Sequence, residues 1–256
     1  FCGTRGTGKT STAKIFSRAV NCEHPIDGEP CNECPTCRGI LDGSIMDVYE
    51  MDAASNRGVE NIREIRDEVI YTPAGCTYKV YIIDEVHMLT QEAFNALLKT
   101  LEEPPAHALF ILATTEPNKL PATVLSRCQR FDFRRISVLD IASRLRQIAE
   151  AEKIPASEDA LELVAELGDG SMRDALSILD QCAAFEPENL TAAKVSEIVG
   201  IADPKTLFSI VDAIADGDAQ TALLSADALF QKGKEVRNFL EELSAHLRNL
   251  LICKST

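Results

Sequence analysis

The chain has 256 residues, which is long enough for one large domain or for two to three smaller domains with real hydrophobic cores. Its formal net charge of −14 argues against a protein that coats nucleic acid by bulk attraction, so any DNA contact must use a limited surface. Because no apolar run approaches the length of a membrane span and no signal peptide is visible, we expect a cytoplasmic protein without a membrane partner.

The chain opens on a glycine-rich loop that matches the phosphate-binding P-loop pattern at every fixed position. We predict that its backbone N–H groups face a polyphosphate, that Lys9 reaches the outer phosphates and that the Thr10 hydroxyl holds Mg²⁺. A helix over residues 11–20 would direct its positive end at the nucleotide, whereas the alternative is a flexible turn. The predicted nucleotide-binding residues are Gly3, Thr4, Arg5, Gly6, Thr7, Gly8, Lys9, Thr10 and Ser11.

Almost no strand and no initiator Met precede this loop, although a P-loop normally follows a buried strand. We therefore expect a fragment of a longer protein, without the upstream residues that would contact the base.

Four of the nine cysteines lie close together in a C-x8-C-x2-C-x2-C array, at Cys22, Cys31, Cys34 and Cys37. This spacing favours a tetrahedral thiolate site, in which zinc is the usual metal and would supply the fold of a short insertion. The alternatives are a disulfide pair, an iron–sulfur cluster, or His24 as the fourth ligand. The scattered cysteines are interpreted as small apolar fillers: Cys2, Cys76, Cys128, Cys182 and Cys253.

A strand over residues 46–51 and an amphipathic helix over residues 58–71 are predicted after the insertion. Arginines on and near this helix alternate with acids, which is typical of a solvated face with i,i+3 and i,i+4 pairs. The second interpretation is phosphate contact at the start of the helix, through Ser55, Asn56 and Arg57.

The next predicted strand, residues 79–83, is continuously apolar and ends in Asp84 and Glu85. A run without alternation indicates a strand buried on both faces, as in the centre of a parallel α/β sheet. Acids at its carboxyl end would emerge beside the P-loop, with Asp84 holding the Mg²⁺ shell and Glu85 orienting the attacking water.

A helix over residues 90–102 and a buried strand over residues 108–113 follow, and this strand delivers Thr114 and Thr115 to the same edge of the sheet. Thr115 could sense a γ-phosphate or be an ordinary strand-end threonine. A short helix leads to Arg127, and a last strand is predicted over residues 129–133. Arg127 is either a surface charge or a group that reaches a nucleotide held by a neighbouring subunit.

From residue 137 the strand pattern disappears and Ala, Leu and Ile recur at helical spacing. Four helices are predicted over residues 138–152, 157–167, 171–184 and 191–199, followed by three over residues 204–215, 218–231 and 234–252. Arg173 lies in a first helical turn, where it opposes the helix dipole, so either a nearby acid or a function explains it. We divide the chain into a nucleotide domain (1–136, with a zinc module at 21–44), a helical lid (137–200) and a partial oligomerisation collar (201–256).

Six segments together resemble the bacterial DNA polymerase III gamma and tau subunits, which are AAA+ ATPases of the sliding-clamp loader. These segments are GTRGTGKT, the four-cysteine insertion, DEVHML, NALLKTLEEPP, ATTEPNKLPATVLSRC and GSMRDALSILDQ. The resemblance implies an α/β P-loop domain, a helical lid and a collar that joins subunits into an open spiral.

By the same resemblance, Arg127 would act on the ATP of a neighbouring subunit, Arg173 would sense nucleotide in its own subunit, and Thr115 would be the strand-end sensor. The region of Ser55 and Arg57 is similar to the segment that faces primer–template DNA. ATP, Mg²⁺ and Zn²⁺ are the implied cofactors. Other clamp-loader subunits, further copies of the chain, the sliding clamp and primer–template DNA are the implied partners.

The expected activity is ATP hydrolysis that drives clamp loading, with DNA polymerase activity only by membership of the complex. A small-molecule P-loop kinase, a branch-migration AAA+ motor and a non-hydrolysing adaptor are the alternatives. The kinase would need an acceptor-binding lid, the motor does not account for the cysteine array, and the adaptor would be expected to have lost Lys9, Asp84 or Glu85.

Overall fold

The computed structural model describes residues 1–200, 204–231 and 236–255. The chain divides into two compact units. The P-loop unit comprises Phe1–Ser137 and Gly170–Arg173, and the helical unit comprises Val138–Asp169 and Asp174–Thr256. The short segment Gly170–Arg173 therefore belongs with the P-loop.

A parallel sheet forms the centre of the P-loop unit. Its strands are β1 (Cys2–Gly3), β2 (Val48–Asp52), β3 (Lys79–Asp84), β4 (Ala108–Leu112) and β5 (Asp132–Phe133). Strands β2, β3 and β4 pair in parallel in that order, and β1 pairs in parallel with β5. A parallel bridge between Cys2 and Thr114 joins the two groups of strands, so the carboxyl ends of β1, β3 and β4 share one edge.

Strand β3 is buried on both faces, as its continuous apolar sequence predicts. Val80 and Ile82 pack with Ala13 on one side of the sheet. Tyr81 and Ile83 pack on the other side, in the larger hydrophobic cluster. Burial on both faces fixes the strand and hence the position of the acids that follow it.

Helices alternate with these strands. They are α1 (Lys9–Asn21), α2 (Pro35–Asp42), α3 (Val59–Glu68), α4 (Gln91–Glu102) and α5 (Ala122–Leu125), with 3₁₀ turns at Val86–Met88 and Pro117–Lys119. All but α2 and the 3₁₀ turns were predicted, although the last predicted strand shrinks to two residues. Helix α2 was not predicted. Its N-cap is a cysteine, Cys34, whose side chain accepts from the Cys37 N–H. Pro35 starts the helix and Gly43 ends it at φ 76°.

The described part of the helical unit contains helices and no β-strand, apart from an isolated parallel bridge between Ala156 and Leu190. The helices are α6 (Val138–Glu152), α7 (Glu158–Leu167), the remainder of α8 (Met172–Phe185), α9 (Ala192–Val199), α10 (Pro204–Ala215), α11 (Ala219–Gln231) and α12 (Val236–Ser255). Helical periodicity therefore predicted this unit well. The predicted start of the last helix at residue 234, and residues 201–203 of the predicted collar, lie outside the described residues. Within the described ranges, no helix is both long and apolar enough to cross a membrane.

Candidate functional site: a P-loop edge and a cysteine cluster

The loop between β1 and α1 needs glycine at two positions. Gly6 and Gly8 have φ values of 76° and 92°, which L side chains rarely adopt. A Cβ on Gly6 would lie 1.8 Å from the Ser171 Oγ, and the Met172 N–H donates to the Gly6 carbonyl at 3.1 Å. The segment Gly170–Arg173 therefore packs directly on the loop.

Lys9 begins α1 and is 6% exposed. Its ammonium donates to the carbonyl oxygens of Gly3 and Thr4, both at 2.9 Å. Because the loop surrounds the ammonium, this positive charge lies where a P-loop presents it to phosphate.

The electrostatic surroundings of Lys9 identify its neighbours. Burial lowers the pKa of Lys9, an effect that the Glu85 and Asp84 carboxylates oppose and the Arg173 guanidinium increases. Both acids and the second cation therefore act on the same ammonium.

Asp84 links the end of β3 to the first turn of α1. The Thr10 hydroxyl donates to its Oδ2 at 2.6 Å, and the Glu85 N–H donates to its Oδ1 at 2.9 Å. A hydroxyl and a carboxylate in contact are the ligand types that Mg²⁺ prefers beside phosphates, so the residues present fit this ion.

Glu85 meets Thr115 from the neighbouring strand. Its backbone is left-handed, with φ 46°, which turns the chain sharply after β3. Its Oε2 accepts from the Thr115 hydroxyl at 2.8 Å and from the Thr115 N–H at 3.2 Å. We call Lys9, Thr10, Asp84, Glu85 and Thr115 the P-loop edge, because these contacts bring them together.

Sequence reasoning missed His87, which also contacts this edge. Its Nδ1 lies 3.3 Å from the Glu85 Oε2. The available signal was the histidine of DEVHML, three residues beyond Asp84, but chain separation alone does not show that its ring turns back toward the glutamate.

Arg127 follows α5 and contacts α4 rather than the P-loop edge. Its Nη2 pairs with the Glu102 Oε1 at 2.5 Å, and its Nη1 donates to the Thr123 carbonyl at 2.7 Å. The side chain remains 33% exposed, so its charge is accessible from outside the P-loop unit.

Ser55 and Arg57 lie in an exposed loop between β2 and α3. The Ser55 hydroxyl donates to the Asp52 Oδ2 at 2.9 Å, and the Arg57 Nε donates to the Ala54 carbonyl at 3.0 Å. These contacts hold the loop to its own strand and do not connect it to the P-loop edge.

The four clustered cysteines converge, since their sulfurs all lie within 4.8 Å of one another. A tetrahedral Zn²⁺ with bonds of about 2.3 Å needs sulfurs about 3.8 Å apart, so the four residues fit this metal. The N–H groups of Cys31, Cys34 and Cys37 each donate at 3.3 Å to the sulfur of the preceding cysteine of the array. Such bonds stabilise thiolates, the form that binds metal.

The cysteines of the cluster differ in acidity. The hydrogen bond from the Cys31 N–H lowers the pKa of Cys22, whereas burial raises the pKa of Cys37 to about 12. A divalent cation would offset the cost of ionising the buried thiol.

The interpretation of the scattered cysteines as apolar fillers holds for the buried Cys2 and Cys182. It is wrong for Cys253, which is exposed, as are all of residues 251–255.

The fold resembles that of solved RuvB structures. A mutant of Thermotoga maritima RuvB matches with a TM-score of 0.55 and 14% identity, over 84% of this chain and 67% of that one. A structure described as the Thermotoga maritima RuvB Holliday junction branch migration motor matches with a TM-score of 0.54, 15% identity and coverages of 83% and 66%. At this identity the likeness shows the fold alone.

The fold is of the AAA+ ATPase type, with a P-loop edge at the carboxyl ends of its parallel strands. Family models described as "DNA polymerase III, delta subunit", "DNA polymerase III clamp loader subunit, ATPase lid domain" and "DNA polymerase III subunits gamma and tau domain III" match residues 1–137, 140–186 and 190–256. The chain belongs to the DNA polymerase III gamma and tau subunit family, which confirms the resemblance found in its sequence.

Relatives match along nearly the whole chain. DNA polymerase III subunit tau of Bacillus subtilis is 52% identical over 100% of this chain and 45% of its own length. The tau subunit of Escherichia coli is 42% identical over 98% of this chain and 39% of its own length. DNA polymerase III subunit gamma of Buchnera aphidicola is 40% identical over 99% of this chain and 70% of its own length. The chain thus spans less than half the length of these two tau relatives.

Proposed function

We propose that the chain is the ATP-hydrolysing part of a clamp-loader subunit of DNA polymerase III. The observation that carries the proposal is the P-loop edge, where the Thr10–Asp84 and Glu85–Thr115 contacts meet beside a buried Lys9. Family membership supports the assignment to the polymerase complex.

Each residue of the edge has a role in phosphoryl transfer to water. The loop N–H groups and Lys9 would bind the β- and γ-phosphates. Thr10 and Asp84 would hold Mg²⁺, which would supply positive charge beside the transferring phosphoryl group. Glu85 orients a water whose oxygen forms the new bond to phosphorus while the bond to the β-phosphate oxygen breaks. Thr115 holds the Glu85 carboxylate in place.

Two arginines complete the proposed site. Arg173 acts on ATP in its own subunit, which its electrostatic effect on Lys9 supports. Arg127 acts on the ATP of a neighbouring copy or subunit, which its exposure and its separate contacts support. Loss of the γ-phosphate would remove a charge-assisted bridge between subunits and so couple hydrolysis to opening of the assembly.

The proposed cycle begins with ATP binding, which permits capture of the sliding clamp and primer–template DNA. Hydrolysis then releases the loaded clamp. Ser55 and Arg57 would contact the DNA backbone, and the cysteine cluster would hold Zn²⁺ as a structural ion. Nucleotide addition belongs to another chain of the complex.

Arg127→Ala in the complete protein, assembled with its partner subunits, tests the proposed function. We expect ATP affinity to persist and hydrolysis stimulated by primed DNA and clamp to fall at least about tenfold, because the transferring phosphoryl group loses a cation. Arg130→Ala is the matched control, since Arg130 is an exposed arginine that pairs with Asp132 in its own subunit. Unchanged turnover in Arg127→Ala would contradict the proposed action of Arg127 on the ATP of a neighbouring subunit.

The same assay separates the alternatives. A wild-type complex that binds ATP without hydrolysing it would be a structural adaptor, and one that is stimulated by DNA without clamp would be another type of motor. Lys9→Ala with normal turnover would contradict the P-loop assignment itself.

A further inference from the structure

The His87 ring lies between two carboxylates beside the P-loop edge. The side chain is 5% exposed, and its Nδ1 and Nε2 lie 3.3 Å from the Glu85 Oε2 and the Glu116 Oε1. The Nδ1 also lies 3.0 Å from the hydroxyl of the buried Thr114. Neither phosphate binding nor Mg²⁺ coordination accounts for a buried imidazole at this position.

The contacts to Glu85 fall on one oxygen. Its Oε2 meets the Thr115 hydroxyl, the Thr115 N–H and the His87 Nδ1, at 2.8, 3.2 and 3.3 Å. A carboxylate fixed through one oxygen has a defined plane, and its second oxygen, Oε1, then has a defined direction. The direction of that oxygen decides whether Glu85 can orient a water for in-line attack.

We propose that His87 is a positioning residue, which holds the Glu85 carboxylate in the orientation needed for attack on the γ-phosphoryl group. The inference rests on the proposed ATP hydrolysis. The ring does this through its Nδ1 side, together with Thr115, and its Nε2 side anchors it to Glu116. Glu116 pairs in turn with Lys119 at 2.9 Å, so the imidazole connects Glu85 to the turn that follows β4.

A purely structural role predicts something different. If the ring served only to fill space beneath Glu85, any polar replacement of similar size would have the same effect, and that effect would be on stability. If the Nδ1 contact matters, replacements that keep a donor at the Nδ1 position must differ from those that do not.

Two substitutions separate these roles. An asparagine amide at position 87 can place a donor where the imidazole Nδ1 lies, whereas a glutamine amide reaches the position of Nε2 and leaves Glu85 without this contact. In the complete protein with its partner subunits, we expect kcat for ATP to stay within about threefold of wild type in His87→Asn and to fall about tenfold or more in His87→Gln. KM for ATP should change less than about twofold in both, because the contact acts on the transition state rather than on ATP binding.

His107→Gln is the matched control. His107 is a half-buried histidine of the same unit, and its Nε2 contacts the Val69 carbonyl at 3.0 Å, so this variant should retain wild-type kcat.

The outcomes distinguish this inference from the proposed function. Equal kcat in the two position-87 variants, or loss confined to His87→Asn, overturns the positioning role while wild-type turnover still supports the ATPase. A wild-type complex that does not hydrolyse ATP would contradict the proposed function itself. If His87→Gln does not fold, His87→Asn decides alone: a folded variant that binds ATP but loses turnover contradicts the inference, and retained turnover supports it.

Discussion

The P-loop edge and the cysteine insertion (residues 21–44) are assembled in opposite ways. The edge gathers Lys9, Asp84 and Thr115 from distant parts of the chain, and strands buried on both faces of a sheet hold them there. The insertion gathers Cys22 to Cys37 from one short stretch, whose buried residues include the cysteines Cys34 and Cys37 themselves.

The difference concerns what each region needs for its shape. Apolar side chains buried in the sheet hold the residues of the P-loop edge in place, so the geometry of the edge follows from the fold. The insertion has little apolar surface to bury, and we expect the proposed zinc ion to hold its four sulfurs together. Removing metal should therefore affect the insertion strongly and the edge weakly.

The largest expected effect comes from breaking the cluster. Cys37→Ser removes a proposed zinc ligand that is 0% exposed, and we expect zinc to fall from about one equivalent to less than about half in the folded, reduced protein. Amide exchange should accelerate across residues 22–44 and stay slow in β3. Cys182→Ser is the control, because Cys182 is equally buried but lies outside the cluster. Full zinc content in Cys37→Ser would contradict the four-cysteine site.

Both regions could be predicted from the sequence because the residues of each follow a recognisable spacing along the chain. The P-loop residues and the cysteines are short-range patterns, and the continuous apolar run before Asp84 identifies the central strand. Even the relation between Thr10 and Asp84 follows once the strands are taken as parallel, since parallel strands present their carboxyl ends to one edge.

The parts that could not be predicted depend on side-chain direction. The ring of His87 lies beside Glu85, whose backbone is left-handed, and periodicity carries no information on such a turn. Helix α2 depends on a cysteine cap, and sequence rules for caps favour oxygen side chains. The pairing of Arg127 with Glu102 requires the packing of α4 against α5.

The boundary between the two regions offers a second test. Asn21, at the entrance of the insertion, is 4% exposed; its Oδ1 accepts from the Tyr78 N–H at 2.7 Å and its Nδ2 donates to the Tyr78 carbonyl at 3.1 Å. Asn21→Ala would leave both backbone groups without this partner, and we expect a loss of about 3 kcal/mol, at about 1–3 kcal/mol for each orphaned group.

This loss of unfolding free energy can be measured by urea unfolding, followed by the near-ultraviolet circular dichroism of the tyrosines, because all four tyrosines lie in the P-loop unit. Asn95→Ala, at an exposed position of α4, should leave the urea midpoint unchanged. Equal midpoints for Asn21→Ala and Asn95→Ala would show that the entrance of the insertion does not contribute to the stability of the sheet.

The smallest expected effect concerns the exit of the insertion, which Asp47 fastens to the same segment before β3. Its carboxylate is 4% exposed and accepts from the N–H groups of Ala74, Gly75 and Cys76, at 3.0, 2.8 and 3.0 Å. Burial raises the pKa of Asp47, but these hydrogen bonds outweigh it and leave the pKa below its ordinary value.

Because the folded pKa of Asp47 is lowered, its contribution is complete above the unfolded value of about 3.9 and is lost as pH falls through the folded value. Asp47→Asn should therefore cost about 1.5–3 kcal/mol at neutral pH, as for a hydrogen bond to a charged group, and progressively less below about pH 4. The same tyrosine signal between pH 3 and 7 measures this, with Asp67→Asn on the exposed surface of α3 as the control. A cost for Asp47→Asn that does not change with pH would mean that the three N–H groups bind either form of the side chain equally. The exit of the insertion would then be held by the shape of this side chain rather than by its charge.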